Sequence, residues 1–173
     1  ADLGVINYHG RSIEVEIDNR DIRGGEKTWG WIKKGIPIRL EVGPRDMEND
    51  SVFMARRDKG PKEKQGVPRN EFIENVTNIL DEMQQGLFDR ALARRESATQ
   101  TIESKDDFYK HFAGEGSGFV YAHFCGDLAV EEEIKADLKV TLRCIPLHGH
   151  DDGGTCIFTG KPSKQRVLWA KAY

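Results

Sequence analysis

Between Ile36 and Val42 apolar side chains fall on every second residue, and the run ends at Gly43-Pro44. A strand with this pattern packs Ile36, Ile38, Leu40 and Val42 on one face and turns Arg39 and Glu41 to the other. Gly43-Pro44 breaks it and leaves Arg45 just past its end. A second apolar run, residues 52–55, follows an Asn49-Asp50 turn suited to a hairpin and ends in Arg56 and Arg57. A chain with two such strands is committed to a sheet. Cations carried at the ends of adjacent strands suit the holding of a phosphate or the reading of a base edge. A merely solvated sheet edge has the same spacing, so the pattern alone does not choose between the two.

Length and charge narrow the field. A chain of 173 residues buries one good core or two modest ones. With 32% charged residues and a mean hydropathy of −0.61, its surface is heavily charged. No apolar run approaches the roughly 20 residues of a membrane span, and Ala1-Asp2-Leu3-Gly4 has neither the basic start nor the apolar core of a signal peptide. The net charge of −3 argues against bulk attraction to nucleic acid but leaves room for a local basic patch, and cations gather at 33–45 and 56–64. Cys125, Cys144 and Cys156 are odd in number and widely spaced, which speaks against a secreted disulfide framework and for a reducing cytoplasm.

Ile13, Val15 and Ile17 alternate with acids and predict a half-exposed strand. Residues 18–27 read as a polar loop with a Gly24-Gly25 break, and 29–34 as one or two helical turns closed by Gly35, which tolerates positive φ. Residues 51–57 return as the partner strand, and 58–68, rich in Lys, Gly and Pro, reads as an exposed loop. Phe72, Val76, Ile79, Leu80, Met83 and Leu87 recur at helical spacing, predicting a helix that runs to about Ser97. The expected fold is α/β: a mixed-sheet domain with flanking helices over residues 1–98, then a small α/β (α+β) domain over 99–173. In the second domain a helix is expected from Asp106, strands over 119–124 and 140–145, a helix over 131–138, and a final hairpin of 155–158 with 166–170. Residues 114–118 read as a flexible turn.

Several strings run in the order of one family. They are Asp18-Asn19-Arg20-Asp21, Lys34-Gly35-Ile36-Pro37-Ile38-Arg39-Leu40-Glu41-Val42-Gly43-Pro44-Arg45-Asp46, Ala55-Arg56-Arg57-Asp58, Phe124-Cys125-Gly126-Asp127, Arg143-Cys144-Ile145-Pro146, Gly160-Lys161-Pro162-Ser163 and the terminal Arg166-Val167-Leu168-Trp169-Ala170-Lys171-Ala172-Tyr173. With them the chain resembles the carboxy-terminal half of prolyl-tRNA synthetases, class II aminoacyl-tRNA synthetases. The resemblance implies an anticodon-binding domain, lacking its first elements, followed by the carboxy-terminal domain of the archaeal- and eukaryotic-like form. It implies a cytoplasmic, homodimeric parent whose upstream catalytic domain uses ATP with magnesium, so that this piece alone has no catalytic residues. The implied partner is proline tRNA, with no DNA and no membrane.

By the same resemblance Arg39 and Arg45 contact anticodon guanines, whose O6 and N7 acceptors match a guanidinium fork. Arg56 is a further candidate contact. An aromatic of the preceding loop, Trp29 or Trp31, stacks on a base, and Trp29 is the choice carried forward. The family's guanine-reading glutamate is missing: Ile32 or Gly30 stands at its position, and Glu26 is the nearest upstream carboxylate. The terminal carboxylate of Tyr173 is implied to pack toward the catalytic domain.

Many members hold zinc with four cysteines in the second domain. The corresponding positions here are Cys125, Val130, Cys156 and Thr159. Two thiolates do not make a tetrahedral structural site, so no zinc is expected. His148, His150 and Asp151 lie near Cys156 in sequence, and Cys144 aligns with a cysteine that is not a ligand. The lost glutamate and cysteines leave an alternative reading, a small-molecule-binding or regulatory α/β module that kept the fold without the RNA. The five histidines form no metal-binding helix pair, and neither a nucleophile elbow nor a phosphate-binding glycine loop is present.

Overall fold

Two cores, not one, organise the chain. The computed structural model describes residues 2–114, 118–150 and 152–171, and it divides into Ala1–Asp89 and Arg90–Tyr173. Both are mixtures of helix and sheet, as expected of an α/β chain. Tyr173, Asp151 and part of the glycine-rich turn, residues 115–117, lie outside the described residues.

In the first unit a 3-10 turn, Leu3–Val5, leads into a small hairpin of β1 (Asn7–Tyr8) and β2 (Arg11–Ser12). The strand expected at 13–17 does not form. Ile13 packs on the core, but Val15 and Ile17 are exposed and the segment joins no ladder. Alternation creates a strand only where backbone partners exist to take its N–H and C=O groups, and none lies alongside it among the described residues. Helix α1 (Gly24–Lys34) starts inside the expected loop, five residues before Trp29, and ends at Gly35 in the left-handed region (φ 75°).

β3 (Ile38–Glu41) is shorter than its apolar pattern. Gly43-Pro44 does break the strand, but Pro44 is also the first residue of a five-residue helix, α2 (Pro44–Glu48). Proline suits that position because the first helical N–H has no partner to lose, and the Asp46 carboxylate accepts from the Gly43 N–H at 2.8 Å. β4 (Ser51–Arg56) then pairs antiparallel with β3, Leu40 opposite Met54. Its other edge takes up β5 (Lys64–Pro68), within the segment expected as an exposed loop. The helix expected from Phe72 forms as α3 (Arg69–Ser97). Phe72 and Val76 meet Val52, Met54 and Val67 in one cluster, flanked by Ile38, Leu40 and Ile79. Burying such side chains contributes about 1.5–3 kcal/mol each.

The second unit has a four-stranded mixed sheet. β6 (Thr99–Thr101) runs parallel to β7 (Phe119–His123), with α4 (Lys105–Ala113) between them in sequence. Ser104 caps α4, its hydroxyl accepting from the Asp107 N–H at 3.1 Å. Gly118 permits the approach to β7: its φ is 97°, and a Cβ there would lie 2.2 Å from the Ala98 carbonyl oxygen, which accepts from the Phe119 N–H. α5 (Leu128–Leu138) and β8 (Val140–Cys144) follow.

The expected final hairpin is not what closes the unit. β9 (Gly154–Thr155) pairs with β10 (Pro162–Ser163), and β11 (Arg166–Lys171) inserts between β7 and β8. The preference of β11 is set by core packing: Trp169 is fully buried, with Phe108, Phe124 and Phe158 around it edge-to-face at ring-centroid distances of 5.7, 5.2 and 5.7 Å.

Candidate nucleic-acid interface

The stretch 18–57 places its cations in two distinct situations. Asp18 lies between helix α1 and the loop before it. Its carboxylate accepts from Arg20 Nε and Nη2 at 2.8 and 2.6 Å and from the Trp31 indole Nε1 at 2.7 Å. These hydrogen bonds, that of Arg20 foremost, hold the Asp18 carboxyl well below the usual carboxylate range. Lys34 lies 4.1 Å from the centroid of the Trp31 ring. Trp31 is thereby fixed at half-burial, whereas Trp29, one helical face away, is 58% exposed with only Lys33 near its ring at 5.7 Å. The sequence marked Asp18 and Arg20 as part of a string but gave no sign that they mount Trp31.

Arg57 donates from Nη1 to the Gly35 carbonyl at 3.0 Å, satisfying an acceptor at the end of α1 and tying it to the segment after β4. Arg56 is equally engaged. Its fork meets Asp58 at 3.0 and 2.9 Å, its Nη1 donates to Glu82 of α3 at 3.1 Å, and its side chain is only 16% exposed. The same pair lowers the Asp58 carboxyl. Arg56 therefore fastens α3 to the end of β4, with its guanidinium spent inside the unit.

Arg39 and Arg45 differ. Among the described residues neither side chain makes a hydrogen bond or ion pair, although their neighbours do. Arg39 sits on β3 opposite Ala55, on the sheet face away from Leu40 and Met54. Arg45 is exposed on α2, the helix that follows β3 directly. Trp29, Arg39 and Arg45 thus ride on three successive elements of one unit. Neither Gly30, whose Cα faces Arg20 Nη2, nor the half-buried Ile32 supplies an acceptor side chain.

In the second unit two of the four zinc-related positions, Cys125 and Thr159, meet directly. Thr159 Oγ1 lies 3.4 Å from Cys125 Sγ. Burial pushes the Cys156 thiol up, and hydrogen bonding by the Thr159 hydroxyl and by nearby backbone N–H groups together outweighs it and lowers the pKa. Val130 packs on the aromatic core. His150 stacks on Tyr121 with ring centroids 3.8 Å apart. Among the described residues no three His, Cys, Asp or Glu side chains converge, so this donor set does not fit four-coordinate zinc. The described residues also include no helix long and apolar enough to cross a membrane.

Comparison with known proteins accounts for both units. Residues 7–79 match the family model described as an anticodon binding domain, and residues 105–173 match the one described as prolyl-tRNA synthetase, C-terminal. By this match the first unit is an anticodon-binding domain. Proline–tRNA ligase 2 of Anaeromyxobacter dehalogenans is 49% identical, and the proline–tRNA ligases of Bdellovibrio bacteriovorus and Rhodopirellula baltica are 50% and 42% identical, each over 99% of this chain. The chain belongs to the prolyl-tRNA synthetase family. It spans about a third of the length of these relatives, 36%, 35% and 34% respectively.

Proposed function

We propose that this chain is the part of a proline–tRNA ligase that recognises tRNA, and that it reads guanines of the proline anticodon. Arg39 and Arg45 supply the forks, and Trp29 supplies a face on which an unstacked base can lie. Arg56, bound by Asp58 and Glu82, is assigned a supporting role and no base. The observation that carries the reading is the contrast among the cations of this stretch. Arg20, Arg56 and Arg57 are spent within the unit, and Arg39 and Arg45 are not.

The whole enzyme would activate proline with ATP and magnesium in an upstream catalytic domain, esterify it to the tRNA, and act as a cytoplasmic homodimer. No cofactor is assigned to this chain. The test is a binding titration against proline tRNA and against the same tRNA with its anticodon guanines replaced. Arg39→Ala is expected to cost about 1–3 kcal/mol of binding, roughly 5- to 150-fold, and to narrow the gap between the two RNAs. Equal affinity of the parent chain for both would overturn the reading.

A further inference from the structure

We propose that Cys125 and Cys156 form an oxidation site, a thiol pair that closes into a disulfide when a hydroperoxide reaches it. Cys125 follows the end of β7, and Cys156 opens the turn between β9 and β10. Two contacts bind these segments together, and a third closes the Cys156 turn on itself. The Ile157 N–H donates to the His123 carbonyl at 3.2 Å, the Cys156 N–H donates to the Lys161 carbonyl at 2.8 Å, and the Ser163 hydroxyl donates to the Phe124 carbonyl at 3.0 Å. The Cys125 sulfur then lies 3.4 Å from the hydroxyl of Thr159, three residues past Cys156 in the same turn. The Lys161 ammonium, paired with Asp127 at 3.0 Å, acts electrostatically on both sulfurs.

Access divides the roles. Cys156 is buried and Cys125 is half-buried, so peroxide meets Cys125 first. The Cys125 sulfur attacks the peroxide. With hydrogen peroxide the S–O bond forms as the O–O bond breaks, and the departing hydroxide takes the Cys125 proton, leaving a sulfenic acid and one water. The Cys156 sulfur then attacks Cys125. The S–S bond forms, the S–O bond breaks, and hydroxide leaves with the Cys156 proton as the second water. Two thiols are oxidised and one peroxide is reduced. The bond would close the loop that carries α5 and β8, restricting the unfolded chain. Cys144, exposed at the end of β8, is a built-in reference thiol.

The experiment treats the chain with hydrogen peroxide, blocks remaining thiols by alkylation, and digests before aspartates. That cleavage puts each cysteine on its own peptide: 107–126, 137–150 and 152–173. The expected result is a cross-linked 107–126/152–173 pair lighter by two hydrogens, released by dithiothreitol, in protein that remains monomeric through Cys144. A reversible rise in the thermal midpoint should accompany it and be absent in Cys125→Ser. Should Cys156→Ser fail to fold, the peptide map of the parent chain still decides. Alkylatable Cys125 and Cys156 after peroxide, sulfinic acid at Cys125 beside a free Cys156, or a disulfide through Cys144 alone would each overturn the proposal.

Discussion

The two units bury their apolar residues very differently. The second collects twelve buried side chains in one cluster around Trp169, while the first has five around Phe72. The first unit also leaves Val15, Ile17, Val42, Met47 and Phe53 exposed. It also carries polar ties, those of Asp18 with Arg20 and Trp31, of Arg56 with Asp58 and Glu82, and of Tyr8 and His9 with Asp81. In that unit Trp29 on α1 stays exposed, and Arg39 on β3 has no hydrogen-bond or ion-pair partner among the described residues. A unit closed around aromatic rings has the opposite character. Cohesion and availability compete for the same residues.

The largest test of the contrast is Trp169→Ala. Removing a fully buried indole should cost the second unit about 3–5 kcal/mol, seen as lost amide-exchange protection in β7 and β11 while β4 keeps its own. Equal loss in both units would break the comparison. Gly118→Ala should follow at about 2 kcal/mol or more, because a Cβ meets the Ala98 carbonyl oxygen and φ is positive; denaturant midpoints measure it. Urea should next separate the units, β3, β4 and β5 losing protection at lower concentration than β7 and β11. A single coincident transition would argue that the smaller core is no weaker.

Acid gives the smallest effect and the sharpest one. Asp18, Asp58 and Asp81 in the first unit all have carboxyls lowered by hydrogen-bonded partners. In the second unit, Asp127 is lowered by Lys161. A lowered carboxyl contributes stability that is present above its unfolded value, near 3.9, and is lost as the pH falls through its folded value. The first unit should therefore weaken more as pH drops from about 5 toward 2. Asp18→Asn should flatten that slope, as read by Trp31 fluorescence against pH.

Local signals carried the sequence reading where structure is local. The apolar period of α3, the apolar run of β4 and the glycine closing α1 each depend on neighbours in the chain, and each is where the pattern put it. Gly43-Pro44 shows the limit, since the same two residues end a strand and begin a helix. β5 has no apolar alternation across Gln65 and Gly66 and exists because β4 offers it an edge. The segment 13–17 has the alternation and lacks the edge. In the site, Arg39, Arg45 and Trp29 were legible as cations and an aromatic at suggestive positions. That Arg56 is consumed by Asp58 and Glu82 was not, because Glu82 is 26 residues away in sequence.

The place of β11 has a consequence for how the second sheet is made. It is synthesised after β7 and β8, yet it is the strand that both need as a neighbour. During vectorial synthesis β7 has only β6 beside it and β8 has no neighbouring strand until β11 follows. Until β11 arrives the nascent sheet is a sticky intermediate open to wrong partners. Chaperone protection in that interval would then matter more to the yield of this unit than its final cohesion does.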